Sequence, residues 1–137
     1  MNALFIAIYN QFTKDLGGGV HYDVYDDVSG RFYLEHAPQD VDWPYIVYNL
    51  VNDANDWTFS ENYEDCAIQF NLFSEAASAD EVGDMFTHLK TCFDDCALTV
   101  AAYTHLYMQR GELASLRWDP DAKHWHYVIE YNILIQN

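Results

Sequence analysis

Two histidines on a predicted strand are the side chains of this sequence best suited to chemistry. His124 and His126 flank Trp125, and Asp119 and Asp121 come just before them. Residues at positions i and i+2 of a strand share a face, so the two imidazoles could bind one metal ion. A zinc site also needs a third ligand and hydrogen-bonded support, and the sequence offers neither at a diagnostic spacing. The pattern therefore favours a polar strand face, with Trp125 on the core side.

The cysteines and acidic segments match no known type of reactive site. Cys92 and Cys96, two of three cysteines, lack the second pair that a zinc site needs, so we expect small, buried and reduced thiols in an intracellular protein. The segment Asp23–Glu35 has the acidity of a calcium loop, but it places Ser29 where that loop needs glycine. We therefore expect neither a zinc site nor a calcium site.

The sequence also has no recognisable catalytic motif. It contains no G-x-S-x-G, H-E-x-x-H or phosphate-binding-loop pattern, and no nucleophile stands beside a predicted base. Adjacent acids such as Asp94 and Asp95 fall at predicted turns and are expected to be solvated. The sequence thus predicts a protein that is not an enzyme and holds no metal or cofactor. A metal-dependent hydrolase at His124 and His126 stays open as the enzymatic alternative.

Acidic residues dominate the charge of the chain. The 22 acids and six bases give a net charge of −16, and 16 of those acids against two bases lie within the first 89 residues. Such a surface repels a phosphate backbone, which argues against sequence-specific binding of nucleic acid. The charge either keeps the protein soluble or lines a space through which DNA slides without adhering.

Length and hydropathy predict one globular domain over residues 1–137. Half of the residues are hydrophobic and 17% are aromatic, which is enough for a packed core. The longest apolar runs, such as Leu4–Tyr9, are too short to span a membrane. The N-terminus has no basic segment and no small-residue cleavage site, so we expect no signal peptide.

Hydrophobic periodicity predicts an α+β fold. Apolar residues three and four apart predict one helix over Asn2–Leu16 and another, opened by a capping box of Ser78 and Glu81, that ends near Asp95. The segment Val20–Gly30 is expected to be irregular, and residues 52–62 are expected to form a polar loop. Strands are predicted over Arg31–Glu35, Tyr45–Val51, Tyr63–Phe73 and Leu98–Met108, and after His124. The order α-β-β-β-α-β-β favours a mainly antiparallel sheet with two helices packed on it.

The last two strands are predicted to form a long C-terminal hairpin. A turn at residues 119–122 would pair Trp118 with His124 and Tyr107 with Ile135. Gly111, in the middle of one strand, predicts a bulge or bend there.

Three segments, taken in order, resemble a family of virion proteins. They are "HAPQDVDWPYIVYNLV" (His36–Val51), "DWTFSENYEDCAIQFNLFSEAASADEV" (Asp56–Val82) and "HWHYVIEYNILI" (His124–Ile135). Their order and spacing resemble the small tail completion or tail terminator proteins of long-tailed bacteriophages, the group that joins tail to head. The resemblance extends over residues 2–136.

The resemblance implies a structural role in a virion. The protein would form a homo-oligomeric ring, expected to be a hexamer, at the head-proximal end of the tail tube. It would contact the major tail tube protein on one side and the neck or connector (head-completion) protein on the other. DNA would pass through the ring without sequence-specific binding. The resemblance implies no catalysis, metal, cofactor or membrane, and it implies assembly in the host cytoplasm before incorporation at the tail–neck junction.

Loop placement suggests which residues make the contacts with the tube or with a neighbouring subunit. They are Trp57, Phe59 and Asn62 in the predicted loop, and Trp118, Asp119 and Lys123 at the hairpin tip. Two other non-enzymatic functions stay open. The protein could be the adjacent neck adaptor or head-completion protein, or an acidic DNA mimic that binds a basic protein.

Overall fold

The structure is a computed structural model that describes residues 2–57 and 61–137, without the side chains of Asp56 and Trp57. The elements in chain order are α1 (Asn2–Phe12), α2 (Asp23–Val28), β1 (Phe32–Leu34), β2 (Tyr45–Trp57), β3 (Asn62–Ser74), α3 (Asp80–Phe93), β4 (Thr104–Asp119) and β5 (His124–Gln136). The α+β class, the order of the predicted elements and the long C-terminal hairpin are confirmed. The short helix α2 is an addition that the sequence did not predict.

The strands form one five-stranded sheet in the order β1-β2-β3-β5-β4. Strands β1 and β2 are parallel, and every other neighbouring pair is antiparallel. The short strand β1 and the long strand β4 are therefore the two edges of the sheet. None of the described helices has the length and apolar character needed to cross a membrane.

One face of the sheet, called the helix face below, packs against the three helices. Its central residues come from three neighbouring strands, as in the row Tyr48, Phe70 and Ile129. They share one buried cluster with the apolar residues of the helices, among them Ile8 of α1 and Leu89 of α3. The predicted alternation in β3 and β5 is confirmed, because the side chains assigned to the core lie on this face.

Helix α2 forms in the segment predicted to be irregular because its packing partners are distant in sequence. Val24 and Val28 are fully buried in the core cluster. Asp27 Oδ2 lies 2.5 Å from Nδ1 of His88 on α3, so an acidic side chain is engaged across two helices. Six residues carry too little periodicity to indicate these contacts.

The predicted capping box at α3 is wrong. The helix begins at Asp80, and its N-cap, Ala79, makes no side-chain cap bond. Glu81 instead accepts a hydrogen bond of 2.6 Å from the hydroxyl of Ser74, the last residue of β3. Ser74 is fully buried, and a buried hydroxyl needs a partner, which explains why Glu81 binds it rather than the helix terminus.

The predicted polar loop at residues 52–62 is also largely wrong. Strand β2 continues to Trp57 and β3 begins at Asn62, and these two residues are register partners. Residues 51–55 are exposed, so their polar composition reflects contact with water while their backbone stays paired.

The observed register of the hairpin differs from the predicted register, and the pairing is irregular at two points. Trp118 pairs with Trp125 and Tyr107 pairs with Leu134, each one residue from the predicted partner. Register shifts occur between His105 and Tyr107 and between Arg110 and Ala114. The second shift contains Gly111, so the predicted bulge is confirmed.

The apolar segment predicted as the start of the fourth strand lies outside that strand. Strand β4 begins at Thr104, and the preceding residues turn, with the amide of Tyr103 bonded to the carbonyl of Val100 at 3.0 Å. Leu98 and Val100 are buried, so their apolar character serves the core rather than a sheet.

Tyr131 links the core to the base of the hairpin and gives a first prediction. Its ring is fully buried, and its hydroxyl donates a 2.5 Å hydrogen bond to Asp94, which also binds Arg110 of β4. The variant Tyr131→Phe should lower the free energy of unfolding by about 1–2 kcal/mol, because it leaves part of that carboxylate unpaired. Urea denaturation monitored by tryptophan fluorescence measures the change.

Tyr9→Phe is the matched control, because Tyr9 is exposed on α1 and its loss of a hydroxyl should change stability by less than about 0.5 kcal/mol. Equal stabilities for the two variants would show that the Tyr131–Asp94 bond contributes nothing.

Candidate assembly surfaces

The face of the sheet opposite the helices, called the open face below, carries the two histidines that could have bound a metal. The ring of His126 stacks on Phe73 with centroids 4.5 Å apart, and the ring of His124 meets the same Phe73 edge-on at 5.5 Å. The prediction that they share a strand face is therefore confirmed. His126 Nε2 lies 3.0 Å from Oδ1 of Asn71, so one ring nitrogen is already hydrogen-bonded to an amide. The arrangement supports the predicted polar face over a metal site.

Amide side chains on the open face hold three strands in register. Asn71 of β3 donates to Oδ1 of Asn49 at 3.0 Å and to the carbonyl of Val47 at 3.1 Å, both on β2. Its own Oδ1 accepts a hydrogen bond from Gln69 at 2.8 Å and contacts His126 of β5. Asn71 is buried and makes four polar contacts, which fully uses an amide. These polar positions therefore serve sheet structure.

Burial around this amide network lowers the basicity of His126. The pKa of the imidazole lies below its usual value because burial penalises the charged ring, and the positive charges of Arg117 and His124 act in the same direction. A neutral ring stacked on Phe73 is the form that the open face accommodates.

A shallow pocket of about 310 Å³ lies beside this network. Its lining combines the segment after β1 with the open face of β2 and β3: Glu35, His36, Ala37, Tyr45, Val47, Asn49, Asn71 and Phe73. The pocket has aromatic walls and amide groups, but the described residues that line it include no nucleophile beside a base. It offers aromatic and amide groups for contact with another molecule.

A second polar cluster lies near the other end of the sheet and was not anticipated from the sequence. Ligand atoms of Asp53, Glu64 and Cys66 lie within 4.8 Å of one another. The Cys66 thiol contacts Oδ1 of Asp53 at 3.6 Å, and Tyr103 donates a 3.0 Å hydrogen bond to Glu64. The three residues come together only through the β2–β3 register, which sequence spacing does not reveal.

The thiol of this cluster is held in its protonated form. Burial, reinforced by the adjacent Asp53 carboxylate, raises the pKa of Cys66 to about 12. Burial likewise raises the pKa of Cys92, and it raises that of Cys96 to about 11. Thiolates are the nucleophilic and metal-binding form, so these pKa values favour unreactive thiols. Cys92 is buried as predicted, whereas Cys96 is only partly buried.

The structure places the predicted contact residues at opposite ends of the sheet. Trp57 and Asn62 lie at the β2–β3 turn, while Phe59 and the side chain of Trp57 fall outside the described residues. Trp118, Asp119 and Lys123 lie at the β4–β5 turn. The first end adjoins the C-terminal end of β5 and the second adjoins its beginning. Thirteen residues of β5 separate the ends, a distance of about 40 Å along an extended strand.

The β4–β5 turn is a preformed, ordered tip. Oδ1 of Asp119 accepts hydrogen bonds from the amides of Asp121 and Ala122 at 3.0 and 3.1 Å. The bond from Ala122 is the larger cause of a lowered pKa for Asp119. The ring of Trp118 packs against that of Trp125, with centroids 5.1 Å apart, yet Trp118 remains 40% exposed. Lys123, in the turn, adopts a positive φ of 56°. The tip thus presents an aromatic ring beside fixed charges.

Negative charge is distributed unevenly between the hairpin and the rest of the chain. Residues 104–136 contain three bases and four acids, a net charge of −1. The remaining three bases and 18 acids give the rest of the chain −15. The hairpin therefore carries little of the net charge of a strongly acidic molecule.

The chain matches one protein-family model and is similar in fold to a solved virion structure. The family model described as "Tail completion protein gp17" matches residues 23–136, which contain α2, α3 and all five strands. No match was found among curated proteins. Among solved structures, a chain described as "Virion of native gene transfer agent (GTA) particle" is similar with a TM-score of 0.84 and 12% identity, over 99% of this chain and 96% of that chain. At this identity the structural likeness shows a common fold.

The lowered pKa of His126 gives a second prediction. Because the folded protein binds a proton at this ring less readily than the unfolded chain does, stability should be complete above the ordinary pKa of about 6.5 and should fall as the pH drops below it. The melting temperature of the parent should therefore decrease more between pH 7.5 and pH 5.0 than that of His126→Gln, which keeps a polar group toward Asn71.

His88→Gln provides the control of opposite sign. The hydrogen bond with Asp27 raises the pKa of His88, so this residue stabilises the fold at low pH and loses that contribution as the pH rises. Identical pH profiles for the parent and His126→Gln would show that His126 is not held neutral.

Proposed function

This chain belongs to the tail completion protein gp17 family, and we propose that it closes the head-proximal end of a bacteriophage tail tube as a ring of identical subunits, expected to be a hexamer. It is a structural virion protein of a phage-like tail. In the proposed role, residues 1–137 act as one domain that stops polymerisation of the tube and joins the tail to the neck. The observation that carries the proposal is the family match over the whole sheet and α3.

The placement of the two turns supports a connecting role. A protein that ends one polymer and receives a different partner needs two unlike surfaces that face opposite ways. The β2–β3 turn and the β4–β5 turn lie at the two ends of β5. We assign one end to the tail tube protein, through Trp57, Phe59 and Asn62 or through Trp118, Asp119 and Lys123, and the other end to the neck protein. The same residues could also contact a neighbouring subunit of the ring.

The net charge supports passage of DNA through such a ring. Six copies would carry 6 × −16 = −96 elementary charges before screening by salt. Acidic side chains that face a channel repel the phosphate backbone and keep DNA from adhering to the wall. In this proposal DNA contacts no specific site, and the protein resides at the tail–neck junction after assembly in the host cytoplasm.

Two alternatives have their own support. The family resemblance also fits a neck adaptor or head-completion protein, which would bind the same tail from the head side. The charge of −16 fits an acidic DNA mimic that blocks a basic protein. A mimic would remain a monomer or small oligomer away from virions, whereas the proposed ring is a component of the particle.

Electron microscopy of particles assembled without this protein tests the proposal. Loss of a tail terminator should give tails of abnormal, extended length that lack heads. Tails of normal length detached from heads would identify a neck protein instead. Intact, infectious particles in its absence would contradict both structural roles.

The hairpin tip gives a third prediction. Trp118→Ala should leave the fold intact, because the ring lies at an exposed turn, but it should weaken attachment of the protein to tails by at least about tenfold, as expected for a truncated aromatic anchor. Quantitative immunoblotting of purified tails measures the amount bound. Val51→Ala, an exposed strand position away from both turns, is the matched control. Equal occupancy by the two variants would remove Trp118 from the contact residues.

A further inference from the structure

We propose that neighbouring copies of this chain bind head to tail through two apolar surfaces at opposite edges of the sheet. The α1 surface consists of Ile6, Tyr9 and Leu34, and the arm surface consists of Leu116 and Trp118. The arm surface of one copy covers the α1 surface of the next. This inference rests on the proposed ring and identifies the contact that closes it.

The α1 surface is exposed and uncharged. Residues 2–13 contain no acidic or basic side chain, although the whole chain contains 28 of them. Ile6 is 60% exposed and Tyr9 is 45% exposed. The outer face of a surface helix normally carries charged or polar groups, so an outer face with an exposed isoleucine and tyrosine indicates contact with another protein surface.

A groove gives the α1 surface a shape that can receive a side chain. It has a volume of about 320 Å³ and lies between α1 and the β1 edge of the sheet. Phe5 and Tyr48 form part of its wall, and their rings meet edge-on at 6.4 Å. The wall is therefore fixed by packing in the core.

The arm surface lies on the outer half of β4. This strand has a neighbour on only one side, so its other side presents unpaired backbone groups. Leu116 is 41% exposed, and Trp118, two residues further along the strand, is 40% exposed. Leu116 and Trp118 pair with Tyr127 and Trp125, which pack against the core cluster, so their side chains lie on the helix face. That is the layer that also contains α1.

The uneven distribution of negative charge favours some surfaces over others for contact between two copies. Each copy carries −16, and all but −1 of that lies outside residues 104–136. Contact through most of the surface would bring like charges together, whereas the α1 surface has none and the hairpin is almost neutral.

The positions of the two surfaces favour a head-to-tail contact over a symmetric one. Strands β1 and β4 are the two edges, separated by four strand spacings, or about 19 Å. Two different surfaces on opposite sides of a subunit generate a ring when the rotation closes. Contact between two arm surfaces would instead give a closed pair and leave both α1 surfaces uncovered.

Exposed glutamate substitutions test the two surfaces in solution. Ile6→Glu and Leu116→Glu should each weaken self-association of the purified protein by at least about tenfold, measured by sedimentation velocity. Val51→Glu, an exposed apolar position outside both surfaces, should change it less than about twofold. Because the contact is apolar and the copies repel, raising the salt concentration should strengthen association, where a contact made of ion pairs would weaken.

Mixing the two variants distinguishes the symmetry of the contact. Ile6→Glu keeps an intact arm surface and Leu116→Glu keeps an intact α1 surface, so an equimolar mixture should form one-to-one heterodimers with a single intact contact. A symmetric arm contact predicts that Ile6→Glu pairs with itself and that the mixture gains nothing. That second result would overturn the proposal.

Cross-linking in assembled tails tests the contact even where the free protein is monomeric. Ile6→Cys and Leu116→Cys, combined in a Cys96→Ala background, should give multimers of this chain with a short bis-maleimide, because the other native cysteines, Cys66 and Cys92, are buried. Each single variant should remain a monomer, as should Val51→Cys combined with Leu116→Cys. Cross-links to a different protein, or none at all, would overturn the proposed contact.

These experiments distinguish failure of the proposed contact from failure of the proposed function. A ring visible at the tail end without the expected cross-links would contradict the contact and leave the function standing. Absence of this chain from the tail–neck junction would contradict the function itself.

Discussion

Phe70, in the middle of strand β3, is the residue on which the sheet and the helices converge. Its ring lies 4.7 Å from Phe93 of α3, 5.5 Å from Tyr131 of β5 and 6.1 Å from Phe32 of β1. One aromatic cluster thus joins strands β3 and β5, the edge strand β1 and helix α3. Because this packing fixes the strands, it also holds the β4–β5 turn and the edges of the sheet in place, which suits the proposed role between two partners.

The sequence predicted those features that depend on local periodicity. Alternation in β3 and β5 located the core face, the apolar repeat located α1 and α3, and Gly111 located the bulge of the hairpin. The errors involve contacts that only the folded chain creates. Glu81 binds Ser74 instead of capping its helix, and α2 depends on Val24, Val28 and Asp27 meeting distant partners.

The proposed contact surfaces were harder to predict than the fold, for the same reason. Aromatic and polar residues in turns marked the two ends of the sheet, but the sequence could not show that these ends lie far apart. Ile6 was not among the predicted contact residues, since periodicity does not reveal which flank of α1 remains uncovered. Asp53, Glu64 and Cys66 lie close together only because β2 pairs with β3 in this register. In each case the missing information concerned how residues distant in the sequence are placed relative to one another.

The direction of the strands has a mechanical consequence for the proposed connecting role. Strands β3 and β5 run between the two turns and are paired at twelve positions. A pull applied at one turn and resisted at the other would load this ladder lengthwise, so its hydrogen bonds would share the force and yield together rather than one by one. The amides of Asn49, Gln69 and Asn71 resist the same sliding motion from the side. The fold is therefore well suited to act as a tension-bearing tie.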